Sequence, residues 1–427
     1  VQYYIWHNDM SGTLLFEALR QAADRGVRVR LLLDDFNTKG LDTILSALDA
    51  HPYIEVRLFN PVVHRQWRIL DYLTDFSRLN RRMHNKSFTA DNQVTIVGGR
   101  NVGDEYFGAD QEDLFVDLDV MAIGPVVKDV SHQFDRYWAS GSSYPADRLL
   151  PSIGPAAISA VAAAASRVQR DPASRAYTAA IARSPFVRQM LARHLQFDWA
   201  VTHVVCDDPA KALGRAAAKE YLWPRLKRIL KAPRHELDLV SGYFVPTAAG
   251  VKYFTGLATQ GVKIKVLTNS LEASDVAIVH AFYAKWRKPM VKAGIALFEI
   301  KSPSPVPSFG GSQLPISSGS IVHAKTFSVD RSRVFVGSFN FDPRSARLNT
   351  ELGFVIDSPA LAQRIAHAFT TRIPARAYKV RLSDEGALQW VEQRGAKTLV
   401  HNEEPGTSFW RRLVVSVMSV LPIEGLL

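Results

Sequence analysis

Two eight-residue segments of this chain follow one pattern, His84-Asn85-Lys86-Ser87-Phe88-Thr89-Ala90-Asp91 and His323-Ala324-Lys325-Thr326-Phe327-Ser328-Val329-Asp330. Each is followed, after the same six-residue gap, by small residues leading to an asparagine: Gly98-Gly99-Arg100-Asn101 and Gly337-Ser338-Phe339-Asn340. From average residue usage, one such pattern arises by chance in a chain of 427 residues with a probability on the order of one in ten thousand or less. Two copies mark an internal duplication, and a duplication fixes the architecture before any local reading begins.

The elements around the motifs repeat as well. In the first half an apolar strand at 3–6 leads into a helical stretch at 14–24, the pair Gly26-Val27 and a strand at 28–33. In the second, 237–241 leads into 248–259, then Gly261-Val262 and a strand at 263–267. Further strands at 54–59 and 295–300 precede the motifs. Strands alternating with helices predict an α/β fold of two pseudo-twofold-related lobes, each a mixed β-sheet flanked by helices. The lobes are expected at 1–144 and 236–375, with a helical insert at 145–235, rich in Ala and Arg and helical over 156–168, and a C-terminal extension at 376–427. The Ser-, Pro- and Gly-rich stretch 302–320 reads as a loop, either a lid or an insertion. Asp207-Asp208 reads as the close of a strand and the cap of the next helix rather than as a metal site.

The spacing inside the motif has a chemical reading. Residues two apart on a strand share a face, so His84 projects beside Lys86 and His323 beside Lys325. If the lobes pack about a pseudo-twofold axis, two His, two Lys and the amides Asn101 and Asn340 converge on one phosphate, with Gly98, Gly99, Gly337 and Ser338 small enough to let backbone approach a bound oxygen. Such donors stabilise a five-coordinate phosphorus without a metal, and no cofactor is expected. Two imidazoles supply a nucleophile and a proton donor for in-line displacement of a phosphodiester. Each imidazole needs an acid to fix its tautomer. Asp117 and Glu351 stand at equivalent places after the two motifs, with Asp119 the alternative to Asp117. His64, His132, His280 and His401 have no such context.

With its paired motifs and trailing small residues, nearly the whole chain resembles the phospholipase D superfamily. More narrowly, residues 82–89, 98–104, 117–120 and 267–271 are similar to the cardiolipin synthase C subgroup of bacterial enzymes. The resemblance implies phospholipase D-type lobes and transfer of a phosphatidyl group, from phosphatidylethanolamine, to the headgroup hydroxyl of phosphatidylglycerol. It also implies that His84 is the nucleophile and His323 the acid and base, and that the motif aspartates Asp91 and Asp330 brace strands and turns. Phospholipid hydrolysis or metal-independent cleavage of nucleic acid would use the same machinery.

Composition bears on partners. With 47% hydrophobic residues the chain can bury a large core, and its net charge of +11 attracts phosphates of lipid or nucleic acid. The lone Cys206 allows no internal disulfide, which leans towards a reducing compartment. No apolar run reaches the roughly 18 residues that span a bilayer. The start at Val1, without Met, points to residues upstream. Residues 65–82 mix Trp67, Ile69, Leu70, Tyr72, Leu73 and Phe76 with Arg65, Arg68, Arg78, Arg81 and Arg82, as either an interfacial helix or a helix packed on its lobe with solvated arginines. Residues 409–421 pair aromatic and basic anchors with an apolar run and read as a membrane contact. Phospholipid substrates and a peripheral place on the cytoplasmic face of the bacterial inner membrane are therefore expected. A strand-tracking groove for nucleic acid is not.

Overall fold

The computed structural model describes residues 1–65, 67–109, 114–302 and 320–426. Local sequence signals explain how its repeated units begin and end. Asp9 caps the helix Met10–Asp24 by accepting a hydrogen bond from Gly12 N at 2.8 Å, which starts the helix a turn earlier than its apolar periodicity does. Gly26 and Gly261 both take φ of +88°, the left-handed conformation that stops a helix and aims the chain into the next strand.

The first half contributes β1 (Gln2–Tyr3), β2 (Val29–Asp34), β3 (Ile54–Phe59), β4 (Ser87–Ala90), β5 (Val94–Gly98), β6 (Leu114–Val116), β7 (Asp119–Ile123) and β8 (Ser143–Pro145). The remainder contributes β9 (Val201–Cys206), β10 (Glu236–Ser241), β11 (Lys263–Asn269), β12 (Ala296–Ile300), β13 (Ser320–Val322), β14 (Lys325–Val329), β15 (Arg333–Gly337), β16 (Leu352–Asp357), β17 (Ala377–Leu382), β18 (Leu388–Arg394) and β19 (Lys397–His401). One sheet runs β7-β5-β4-β1-β2-β3-β8 and the other β19-β18-β17-β12-β11-β10-β14-β15-β16-β9. In each the central strands, β1-β2-β3 and β10-β11-β12, are parallel, and the motif strand, β4 or β14, joins antiparallel. The result is the expected pair of mixed α/β lobes flanked by helices.

A shared core joins the lobes: Leu32, Met83 and Val97 of the first pack in one cluster with Cys206, Leu352 and Phe354 of the second. A third, two-stranded sheet pairs β6 of one lobe with β13 of the other in parallel. The stretch 114–123 therefore forms two strands, changing partners at Asp117 and Leu118.

Three expectations are revised. The insert holds the helices Pro155–Arg170, Pro172–Arg183 and Pro185–Leu191, but β9 follows them and forms the edge of the second sheet against β16. The C-terminal extension likewise widens that sheet, because β17, β18 and β19 alternate apolar and polar residues and pair in series beyond β12. Residues 65–82 are two short helices, Arg68–Thr74 and Phe76–Leu79, interrupted at Asp75. The loop expected at 302–320 falls, over 303–319, outside the described residues.

Candidate active site

His84 and His323 stand just before β4 and β14, at the carboxyl ends of the parallel strands. Each is hydrogen-bonded to the backbone of the opposite lobe. His84 N donates to Thr350 O at 2.9 Å and Thr350 N to Arg82 O at 2.9 Å, while His323 N donates to Val116 O at 2.9 Å. The residues next along those segments are Glu351 and Asp117. The ladder therefore delivers each acid to the other lobe's histidine: His84 Nδ1 lies 2.9 Å from Glu351 Oε2, and His323 Nδ1 lies 2.5 Å from Asp117 Oδ2. His84 Nδ1 also lies 3.1 Å from the carbonyl of Ser338. A carbonyl only accepts, so Nδ1 carries the hydrogen and Nε2 keeps its lone pair. Asp119, the alternative acid, is engaged elsewhere, accepting from Arg100 Nε at 2.6 Å.

The lysines repeat the symmetry. Lys86 Nζ donates to His84 O at 2.6 Å, and Lys325 Nζ to His323 O. An ammonium has three donors, so each retains hydrogens for a phosphoryl oxygen. Aromatic rings meet both imidazoles edge-on, Tyr4 at 4.9 Å from His84 and Tyr106 at 5.3 Å from His323.

The amides break the symmetry. Asn101 accepts from Ile5 N at 3.3 Å and donates to the Tyr106 hydroxyl at 3.0 Å, so its carboxamide works inside the first lobe. Asn340, also buried, has an Oδ1 with no hydrogen-bond partner among the described residues.

The small residues have close neighbours. A Cβ on Gly98 would strike Asp119 and one on Gly99 would strike Asp117, and a Cβ on Gly337 would meet the backbone of Leu352 and Gly353. These glycines make room for the acid-bearing segment 117–119 and for Leu352 and Gly353. Ser338 Oγ donates to Glu351 at 2.5 Å and accepts from Leu352 N at 3.0 Å, which makes it a support of the acid.

The motif aspartates lie at the far ends of their strands, in turns with positive φ. Asp330 accepts from the backbone N–H groups of Arg234, His235 and Glu236 at 2.8 to 3.1 Å, and Asp91 is exposed at its turn. Neither reaches the histidines. Their place in the turns fits the bracing role that the resemblance implied.

Burial dominates the electrostatics. It pushes His84 well below the ordinary imidazole value and His323 down to about 3, with Lys86 and Lys325 adding to both effects. Lys86 is depressed in the same way, and Lys325 is lowered to about 8. Burial alone would raise Asp117, but His323 and Lys325 outweigh it and hold the acid at about 2. Glu351 is raised to about 7 by burial, which Lys86 and Ser338 only partly offset. The centre is thus a desolvated, donor-rich site that a bound anion would stabilise.

Several supporting residues were not anticipated. Arg82 donates from Nε to Asp34 at 2.9 Å, and Met83 N donates to the same carboxylate at 2.7 Å, fixing the approach to the first motif. Asp207 closes β9 as expected, but it also binds Lys211 at 3.0 Å and accepts from Glu351 N at 3.0 Å. Tyr4 has no counterpart in the repeat, since the matching bridges Trp6–Val102 and Phe244–Phe341 set Gly242 at its equivalent place in the second half. Among the described residues, the one cluster spaced to hold a metal is His7, Asp9 and Glu105, where Asp9 already caps a helix, and it includes none of the groups above.

Comparison with known proteins agrees with this geometry. Residues 1–138 and 226–373 match the family described as cardiolipin synthase, PLD-like domain. The chain is 51% identical over its full length to cardiolipin synthase C of Escherichia coli K12, covering 90% of that protein. It is 26% identical to cardiolipin synthase A of Pseudomonas putida GB-1, over 93% of this chain and 67% of that protein. Among solved structures, phosphatidylserine synthase of Haemophilus influenzae Rd KW20 superimposes with a TM-score of 0.55 at 12% identity, covering 89% of this chain and 81% of that one, a likeness of fold.

Proposed function

Because this chain belongs to the PLD-like cardiolipin synthase family, we propose that it is a phosphatidyltransferase that makes cardiolipin. The observation that carries the reading is the crossed arrangement: two neutral, buried imidazoles, each held at Nδ1 by the other lobe's acid, beside two lysines. In the proposed reaction His84 Nε2 attacks the phosphorus of phosphatidylethanolamine and forms a phosphohistidine. The negative charge of the bound phosphate favours protonation of His323 to the imidazolium, whose Nε2–H protonates the ethanolamine oxygen as its bond to phosphorus breaks; the neutral ring then takes the proton of the phosphatidylglycerol hydroxyl that attacks phosphorus and frees His84. Lys86, Lys325 and Asn340 hold the phosphoryl oxygens, while Asp117 and Glu351 are positioning residues.

Peripheral membrane contact is part of the proposal, and the inverted polarity of residues 65–82 supports it. Arg65 pairs with Asp35 and Asp42, and Arg68 donates to the carbonyls of Asp35 and Phe36, so these arginines face protein. Among the described residues of this stretch, the large apolar side chains Trp67, Leu70, Leu73 and Phe76 are exposed, Leu73 at 78%. The helix Phe409–Met418 repeats this pattern. It docks through Val415 against Leu271 and Ala281 and exposes Phe409, Val414, Val417 and Trp410, the last at 71%. Both patches adjoin loops at the carboxyl ends of the parallel strands, the side on which His84 and His323 lie. No helix among the described residues is long and apolar enough to cross a membrane. We place the protein on the cytoplasmic face of the inner membrane of a bacterium.

Incubation with vesicles of phosphatidylethanolamine and phosphatidylglycerol tests the whole reading. Cardiolipin should form, ethanolamine should be released in equal amount, and His84→Ala should abolish both. Phosphatidic acid without cardiolipin would make the protein a hydrolase, and cleavage of single-stranded DNA would make it a nuclease.

A further inference from the structure

The two lobes treat one face of their sheets differently. In the second lobe, Phe327 of β14 and Phe335 of β15 lie in a closed core with Leu226 and Phe254 from the covering helices, and Trp223 stacks on Phe339 at 5.6 Å. The space left there is about 40 Å³. In the first lobe the equivalent positions are Phe88 of β4 and Ile96 of β5, and among the described residues no stacked pair like Trp223 and Phe339 fills the space beside them. Instead the helices Met10–Asp24 and Pro172–Arg183 border a groove of about 460 Å³, lined mainly by apolar side chains including Leu14, Leu15, Phe88, Ile96 and Ile181. Its lining also includes Lys86, whose ammonium is hydrogen-bonded to the His84 carbonyl. A larger groove of about 700 Å³, between the helices Met10–Asp24, Asp42–Asp49 and Pro155–Arg170, includes none of the site residues.

We propose that the groove leading to Lys86 holds a fatty acyl chain of the phosphatidyl donor. Its position identifies the occupant. A molecule whose phosphorus is attacked by His84 has its phosphoryl oxygens beside Lys86, and an apolar tail attached to that phosphate finds this slot as the adjoining apolar surface. The chain belongs to the donor, because the phosphatidyl group is what His84 receives. An apolar slot of this size, left open where its duplicate is packed shut, stabilises a bound chain by removing its methylenes from water, about fourfold in affinity per methylene. The inference rests on the phosphatidyl-transfer reading and adds to it a basis for selecting donors by chain length.

Ala18 and Thr178 line the groove with exposed side chains, so Ala18→Trp and Thr178→Trp fill it without entering the core. The experiment compares these variants with wild type on dihexanoyl and dipalmitoyl donors in mixed micelles. In parallel, a phosphatidylethanolamine carrying a diazirine at the end of one acyl chain is photocrosslinked and mapped by mass spectrometry. We expect kcat/KM to fall tenfold or more on the long-chain donor and to stay within twofold on the short one. Crosslinks should fall on the Met10–Asp24 and Pro172–Arg183 helices and disappear in the variants. Equal effects on both donors, or crosslinks that avoid these helices, would overturn the inference. If wild type makes no cardiolipin, the transfer reading fails, and the crosslinking still decides whether the groove takes an acyl chain.

Discussion

The two histidine–acid pairs are built by the same rule from different parts. His323 faces an aspartate held ionised at about 2, in a contact of 2.5 Å. His84 faces a glutamate raised to about 7 and shares its Nδ1 hydrogen with the Ser338 carbonyl. An ionised partner stabilises an imidazolium, as a proton donor requires, whereas a carbonyl and a half-neutral acid fix a tautomer without drawing a proton onto the ring. This inequality supports the proposed roles, acid–base work for the second motif and nucleophilic attack for the first. The duplication supplied two equal rings, and their surroundings make them unequal.

The comparison breaks most easily at the acids. Asp117→Asn should lower kcat for transfer about a thousandfold, because the imidazolium of His323 loses its counter-charge. Glu351→Gln should cost only about tenfold, since the Ser338 carbonyl still holds the tautomer of His84. Steady-state rates together with trapped phosphohistidine would separate the two, and equal losses would mean that the lobes are interchangeable.

The core offers a second contrast. Phe327→Ala should destabilise the protein by about 3–5 kcal/mol, whereas Phe88→Ala, at the matching position beside the open groove, should cost about half as much. Denaturant unfolding of the two variants measures the difference directly.

A smaller effect sharpens the view of the lysines. Lys325 is lowered to about 8, so its ammonium is present below that pH and lost above it. Its kcat/KM should fall about tenfold per pH unit above 8. Lys325→Arg should remove this limb from the accessible range, and a limb that persists would assign it to another group.

Much of this design was legible in the chain. Period-two spacing placed each lysine beside its histidine, and the repeat pointed to Asp117 and Glu351 as matching acids. It did not reveal that the pairs cross, because each acid is 206 or 267 positions from its histidine and only the exchange of strands decides the pairing. The close packing of Gly98 against Asp119 and of Gly99 against Asp117 was not legible, because it depends on how the segment 117–119 lies beside β5. The reading of Asp207-Asp208 as the close of a strand implied β9, and Val201-Thr202-His203-Val204-Val205 is rich in β-branched residues, but nothing local showed that this strand joins the second sheet. The sequence left residues 65–82 as either an interfacial helix or a packed helix with solvated arginines, because Asp35 and Asp42, the partners of Arg65, lie far back in the chain.

The crossing also governs when reactivity appears during synthesis. A nascent chain that has exposed His84 to solvent has yet to receive Ser338 and Glu351 from the ribosome, and Asp117 waits for His323 in the same way. A polypeptide released or cut before its final quarter carries a complete first motif and no complete histidine–acid pair, so the enzyme is born latent and becomes competent only when its second half folds back onto the first.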